Sequence, residues 1–430
     1  MLRILAVGDM HLGRRPSRLP EGLTPRAGEL GPAAAWQRIV EEVLRENVDV
    51  VALAGDLVEH EDDFFEAYRT LRSGIQRLIQ ADIRVFAVAG NHDSKVLPRL
   101  AREVHDLRLL GSDGRWESVT VESNGETVTL WGRSLVPGRE RDNPLEGVSF
   151  ERGPGVNLGL LHCDRDQPRS SYGPVSTVEL QSAGLDGWLL GHIHRPDSLE
   201  PPRPFGYLGS ITALDAGEPG PRGPWLLEIS RGCCERVEHW VLGPVRWELL
   251  TLDCSNLGDP EEVEHRLLAA CRKLNETLDA SRRPPEVVGL RLRLEGRTGG
   301  TAEILAHLER PEYREELPVD PRRHFFVDRI ETAIRPQIEL EQLAARADPP
   351  GLLAGKLLLL ERPESDPERR AFLEQLRRRL EPQASEATWR ELGHRSIDED
   401  DLARWVRDMG LRLLDRLLMQ REAQDATHEA

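Results

Sequence analysis

Aspartate, asparagine and histidine recur in this chain in five short clusters that share one setting. The clusters are Gly8-Asp9-Met10-His11, Gly55-Asp56, Gly90-Asn91-His92-Asp93, Leu161-His162 and Gly191-His192-Ile193-His194. Each ends an apolar run: residues 3–7 (RILAV), 49–54 (DVVALA), 83–89 (IRVFAVA), 156–161 (VNLGLL) and 187–190 (GWLL). Short runs of this kind read as buried strands, and ligands bind in the crevice outside the carboxyl ends of strands in open α/β sheets. A mixed set of carboxylate, amide and imidazole donors suits manganese, iron or zinc. A carboxylate shared by two such ions would hold them about 3.5–4 Å apart, the spacing that clamps an in-line displacement at phosphorus. The glycines beside these donors permit the tight turns that aim them. Any one cluster is a weak signal, because Asp-x-His is commonly a surface loop and a lone strand-end histidine such as His162 is commonly a packed side chain. Five in succession, each behind an apolar run, carry the inference.

The elements that must position these clusters follow from periodicity. Helix-like segments, Ala33–Glu46 and Asp63–Gln80, separate the first three runs, with Phe64, Tyr68, Leu71, Ile75 and Leu78 at helical spacing in the second. Strand alternating with helix predicts right-handed crossovers and a largely parallel, buried sheet. Later runs, Glu117–Val121, Thr127–Trp131, Trp225–Ile229 and Arg236–Leu242, alternate between apolar and polar and predict an added antiparallel sheet. Beyond Val245 the character changes to a small α+β unit: strands WELLTLDC and EVVGLRLRLEG, with helices Pro260–Leu278 and Ala302–Leu308. From Glu339 the chain is helical and highly charged. Its last long segment, Asp398–Arg421, lines Leu402, Trp405, Val406, Met409, Leu413, Leu414 and Leu417 along one face, for docking on a partner's helices or for packing on its own domain.

Bulk properties narrow the class. At 430 residues, two or three domains are expected, and 39% hydrophobic with 30% charged residues is a soluble, globular balance. No stretch is apolar for long enough to span a bilayer, and MLRILAVGD leads into a strand without a cleavage site, so a cytoplasmic protein with no membrane association is expected. Cys163, Cys233, Cys234, Cys254 and Cys271 have no C-x-x-C spacing, which predicts reduced thiols and no structural zinc. A formal charge of −17 argues against nucleic-acid binding by the whole surface. It leaves room for a nucleic-acid substrate at a cleft where cations and arginines reverse the local field.

The order D-x-H, GD, GNHD, H, GHIH resembles the calcineurin-like metallophosphoesterase superfamily over roughly residues 1–245. The resemblance implies an α/β fold of two β-sheets flanked by helices, and two divalent metal ions per chain. By similarity, Asp9, His11, Asp56 and His194 hold one ion; Asp56 bridges to a second completed by Asn91, His162 and His192; and His92 is the catalytic histidine that stabilises the transition state or protonates the leaving oxygen. The stretch Tyr207-x-Gly209-Ser210, Gly217-Glu218, Gly223 and WLLEI, with the α+β unit after it, is similar to the SbcD-type DNA repair exonucleases. That similarity implies a nuclease domain at 1–245, a small α+β capping domain at 246–338 and a helical region at 339–430. It further implies manganese as activator, DNA as substrate, a homodimer, and docking of the helical region on an SbcC-type ATPase. A phosphatase or small-molecule phosphodiesterase with the same binuclear site is the alternative, and a non-catalytic scaffold of the same fold is a third.

One position departs from the better-known nucleases of that family, which carry histidine three residues after the bridging aspartate. Here that residue is Glu59, followed by His60. Either Glu59 orients His92 and keeps it protonated, or it is a solvated loop carboxylate with His60 at the surface. Arg14 and Arg15, after the first cluster, offer donor forks for substrate phosphates or form a charged surface loop. Asp93, Asp164 and Asp166 are candidates for holding backbone or a ligand histidine in place, and Asp93 also for capping a following helix.

Overall fold

A computed structural model describes all residues except 61–63, 105–106, 139–140, 299, 336–337, 385–398 and 429–430. The strands are β1 (Leu2–Val7), β2 (Val50–Leu53), β3 (Arg84–Ala87), β4 (Leu107–Leu109), β5 (Glu117–Ser123), β6 (Glu126–Arg133), β7 (Val156–His162), β8 (Gly187–Gly191), β9 (Phe205–Tyr207), β10 (Trp225–Ser230), β11 (Cys233–His239), β12 (Val245–Asp253), β13 (Val287–Arg297), β14 (Leu317–Asp320) and β15 (Arg323–Arg335). They form a six-stranded sheet in the order β11-β10-β1-β2-β3-β4, a five-stranded sheet in the order β5-β6-β7-β8-β9, and a four-stranded sheet in the order β12-β13-β15-β14.

The first two sheets form the sandwich that the family resemblance implied. β1 to β4 are mutually parallel, and so are β6 to β9. All four residues of β2 and all seven of β7 are buried, as expected of strands covered on both faces. Alternation then decides which layer each side chain joins. Leu5, Val7, Val51, Leu53, Val85 and Ala87 pack with Trp36, Ile39, Leu71 and Ile75 of the helices Pro32–Arg45 and Phe64–Gln80. Their neighbours Ile4, Ala6, Val50, Ala52 and Phe86 face Leu130, Leu158, Leu160 and Leu189 of the second sheet. The far face of that sheet, with Trp188 and Leu190, is covered by Val175, Leu180 and Phe150.

The added antiparallel sheet expected from the later runs does not form. β5 and β6 are an antiparallel hairpin, but β6 then pairs in parallel with β7. β10 and β11 instead extend the first sheet, antiparallel beside β1. Alternation reports that one strand face is solvated, which any sheet edge satisfies, and it does not specify the partner.

The described residues cluster into two compact units. One comprises Met1–Leu252, Asp259–Leu294 and Ala302–Thr332; the other comprises Asp253–Gly258, Glu295–Thr301 and Ala333–Ala430. In the first unit, helix Pro260–Asp279 begins at Asp259, whose side chain accepts from Glu261 N, with proline at the first turn. Arg282 pairs with Glu46 at 2.7 Å and with Glu42 at 3.5 Å, and Arg38 pairs with Glu286, joining the α+β elements to helix Pro32–Arg45. In the second unit, helices Pro349–Glu361, Pro367–Ala384 and Glu399–His428 surround a core of Leu357, Leu360, Leu373, Leu402 and Leu414. Asp415 anchors Arg297 and Arg335 there, at 2.7 and 2.8 Å. All five cysteines are free thiols. No helix of the described residues is long and apolar enough to cross a membrane.

Candidate metal centre

Loops leaving β1, β2 and β3 of one sheet and β7 and β8 of the other meet at one end of the sandwich. Met10 N and His11 N both donate to the carbonyl of Asp56, each at 2.9 Å, and His192 N donates to Asp9 Oδ1 at 2.8 Å. His11 and Asp56 have φ of 51° and His192 of 106°, left-handed conformations that cost non-glycine residues of order 1–3 kcal/mol each. These cross-loop hydrogen bonds hold that strain. Two glycines are needed for the approach itself: Gly55 has φ of 90°, and a Cβ on Gly90 would lie 2.2 Å from Asp56 Oδ1. Asp93, fully buried, closes the frame by accepting from Gly90 N at 2.8 Å and Leu57 N at 2.6 Å. Of its open readings, the structure supports the one that holds backbone.

Four histidines then present a common pattern, with one ring nitrogen anchored outward and the other turned inward. His11 Nδ1 lies 2.6 Å from Glu59 Oε2, His194 Nδ1 lies 2.6 Å from Glu218 Oε1, His162 Nδ1 lies 3.0 Å from the Ala54 carbonyl, and His192 Nε2 lies 3.3 Å from Asp164 Oδ1. Hydrogen bonds to Glu218 and to the Ala54 carbonyl assign the tautomers of His194 and His162, and Glu59 Oε2 and Asp164 Oδ1 place acceptors beside the outer nitrogens of His11 and His192. The inward nitrogens are therefore lone-pair donors. His11 Nε2 and His194 Nε2 stand 2.9 Å apart, and His162 Nε2 and His192 Nδ1 each lie 2.9 Å from Asn91 Oδ1. Asp9 Oδ2 is buried with no hydrogen-bond partner among the described residues. Converging lone pairs and an orphaned buried carboxylate oxygen are what a cation satisfies and what an apolar core would not tolerate.

Two loci share one residue. His11, Asp56 and His92 bring one ligand atom each within 4.8 Å of one another, and so do Asp56, His162 and His192. His194 Nε2 adjoins the first locus at His11 and Asn91 Oδ1 the second, while Asp9 Oδ1 lies 2.8 Å from His192 N and 3.8 Å from His162 Nδ1. Electrostatics agrees with a site made for positive charge. Burial alone pushes the Asp56 carboxyl up, yet His162, then His11 and His92, hold it well below the carboxylate range. Burial likewise opposes protonation of His162, but Asp56 and then Asp9 outweigh it and lift the ring to about 9. A divalent ion meets the same demand more fully than a proton.

His92 donates its backbone N–H to Asp56 Oδ1 at 2.9 Å, and its ring Nδ1 is 3.0 Å from the Glu59 carbonyl, which leaves Nε2 without a hydrogen bond among the described residues, on a partly exposed ring. Glu59 meets both histidines: its backbone carbonyl anchors His92, and its carboxylate stands nearest His11, at 2.6 Å, and 4.0 Å from His92 Nδ1. The close His11 ring, 2.6 Å away, holds the Glu59 carboxyl down at about 2. His60 is a surface residue, its side chain 67% exposed. Arg14 is half-buried beside the centre and acts electrostatically on both Glu59 and His194. Arg15 is exposed, next to a small cleft lined by Gly28, Gly31 and Thr70. Asp166 caps the turn at Thr177, away from the centre. The anchoring role of Glu218 was not read from the sequence, because nothing in local spacing brings a glutamate between β9 and β10 back to His194.

Residues 2–196 match the family model for calcineurin-like phosphoesterases. Among curated proteins, the uncharacterized metallophosphoesterase YhaO of Bacillus subtilis is 25% identical over 338 residues, covering 75% of this chain and 81% of its own length. The DNA double-strand break repair protein Mre11 of Methanopyrus kandleri is 26% identical, with 62% of each chain covered. Mre11 of Haloferax volcanii is 30% identical over 54% of this chain and 50% of its own. The match thus spans between half and two thirds of these two Mre11 proteins.

Proposed function

We propose that this metallophosphoesterase, whose N-terminal part is a calcineurin-like phosphoesterase domain, is a manganese-dependent DNA nuclease that processes DNA ends. The observation that carries the reading is the pair of cation loci sharing Asp56, with the partly exposed ring of His92 beside them. When bound, two divalent cations neutralise charge on the phosphate and align its in-line displacement. Asp9, His11, Asp56 and His194 would hold one, and Asp56, Asn91, His162 and His192 the other. His92, fixed by the Glu59 carbonyl, is oriented to give a proton from Nε2 to the departing oxygen. Arg14, and Arg15 farther out, supply guanidinium donors for neighbouring phosphates, which gives an acidic protein a local basic rim.

Likeness to the Mre11 proteins favours DNA over a small ester, and the α+β elements and helical unit after the phosphoesterase domain favour a chain that works with partners. We assign it to the cytoplasm as a homodimer that docks an SbcC-type ATPase through its helical region. Turnover of linear DNA with defined ends, measured beside p-nitrophenyl phosphoester hydrolysis in manganese, tests the substrate. Brisk ester hydrolysis with no cleavage of any linear or branched DNA would make the chain a phosphatase or small-molecule phosphodiesterase. Less than one transition metal per chain after manganese loading would make it a scaffold.

A further inference from the structure

The four ligand histidines have anchors that differ in charge, and the difference is unevenly shared between the two loci. Behind His11 and His194 stand the carboxylates of Glu59 and Glu218; behind His192 stands Asp164; behind His162 stands the neutral carbonyl of Ala54 at 3.0 Å, with Asp9 Oδ1 farther off at 3.8 Å. The locus of Asp9, His11, Asp56 and His194 thus sees two ligand carboxylates and two backing ones. The other has one ligand carboxylate, Asp56, with Asp164 behind His192 and Asp9 Oδ1 3.8 Å from the outer nitrogen of His162. A carboxylate on the outer N–H of an imidazole makes the inner nitrogen a stronger donor and holds the ring in its tautomer. Charge and donor strength therefore both favour the first locus.

We propose that Glu59 is a positioning residue for His11 that makes the Asp9–His11 locus the tighter of the two cation sites, so that the centre loads its cations in a set order. The proposal rests on the binuclear reading above. The side chain of Glu59 meets His11 at 2.6 Å, while its backbone carbonyl takes His92 at 3.0 Å and its carboxylate is 4.0 Å from that same His92 nitrogen. A side-chain substitution alters the charge behind His11 and leaves the anchor of His92 in place. The exposed ring of His60 lies 3.8 Å from the Glu59 carboxylate and beside His92, with ring centroids 6.2 Å apart. The carboxylate is itself braced: it is half-buried, and Arg14 acts on it electrostatically from the same loop as His11.

The test uses the full chain stripped of metal and titrated with Mn2+, with free Mn2+ followed by electron paramagnetic resonance, heat by calorimetry, and folding by thermal melting. Wild type takes up two ions in two affinity classes. In Glu59→Gln the tighter class weakens about 10- to 100-fold while the weaker is unchanged. In Glu59→Asp, which keeps the charge on a shorter arm, the loss is smaller. Asp164→Asn weakens the other class instead. An unchanged tight class in a folded Glu59→Gln chain, or a loss confined to the weaker class, overturns the proposal. If Glu59→Gln does not fold, Glu59→Asp decides alone, and an undiminished tight class overturns it. Wild type that takes up fewer than two ions overturns the binuclear reading itself, an outcome distinguishable from failure of the role given to Glu59.

Discussion

The metal centre and the C-terminal helix Glu399–His428 depart from the simplest folded protein in opposite directions. At the centre, Asp9, His11, Asp56, Asp93 and His162 are polar and almost wholly buried. Along the helix, Trp405, Met409 and Leu413 are apolar and about half exposed, at 53%, 48% and 50%. One region spends stability to bring charge out of water, and the other leaves hydrophobic burial unrealised. Within the helix the contrast is sharp. Leu402 and Leu414 pack into the core of their unit with Val406 beside them, and Gly410 admits Leu357, since a Cβ there would lie 2.5 Å from its side chain. The stripe Trp405, Met409, Leu413 runs one position away on the surface. Self-packing thus accounts for one side of the apolar face read from the sequence, and the other side is the surface we assign to the ATPase.

Substitutions can break this comparison in a graded series. The largest effect is expected of His92→Gln, which should retain both cations by metal analysis yet lower kcat by about 10²–10⁴-fold; metal loss in this variant would instead make His92 a ligand. Next is Asp93→Ala. It strips the acceptor from two buried backbone N–H groups, and the melting curve should show a loss of about 2–5 kcal/mol. A stability unchanged from wild type would mean that the buried carboxylate is not what frames the loops. Leu414→Ala, in a fully buried position of the other unit, is expected to cost about 2–4 kcal/mol by denaturant melting.

His239 separates burial of polar groups from catalysis. Its ring stacks on Trp225 with centroids 4.4 Å apart, and burial lowers it to about 4, with Arg222 and Arg246 helping and the hydrogen bond to the Gly223 carbonyl opposing. The folded value lies below the ordinary 6.5, so its stability contribution is complete above pH 6.5 and is lost as pH falls through about 4. His239→Phe should flatten that part of the acid limb, read as wild-type minus variant melting temperature across pH 4–7; a constant difference would refute it. The smallest effect on folding is expected of Trp405→Ser, Met409→Ser and Leu413→Ser, each within about 0.5 kcal/mol of wild type. The triple variant should nonetheless lose capture by an SbcC-type ATPase, and retention of capture would move the docking surface elsewhere.

Much of this molecule was determined locally, and that part was legible. Five apolar runs ending in Asp, Asn or His specify buried strands with donors at their carboxyl ends, and the spacing of Leu71, Ile75 and Leu78 specifies the covering helix. Such features depend on one residue's relation to neighbours a few positions away. Which sheet each strand joined was decided only by the fold. Trp225–Ser230 pairs beside β1, more than two hundred residues distant in sequence, and no period records that choice. The anchors behind the histidines were decided there too. Glu218 reaches His194 across an intervening strand, and the Glu59 carboxylate lies nearer His11 than His92, because contact between side chains depends on where separate loops are brought to rest. Donor identity is a property of the sequence; which of two nitrogens a carboxylate meets is a property of tertiary geometry.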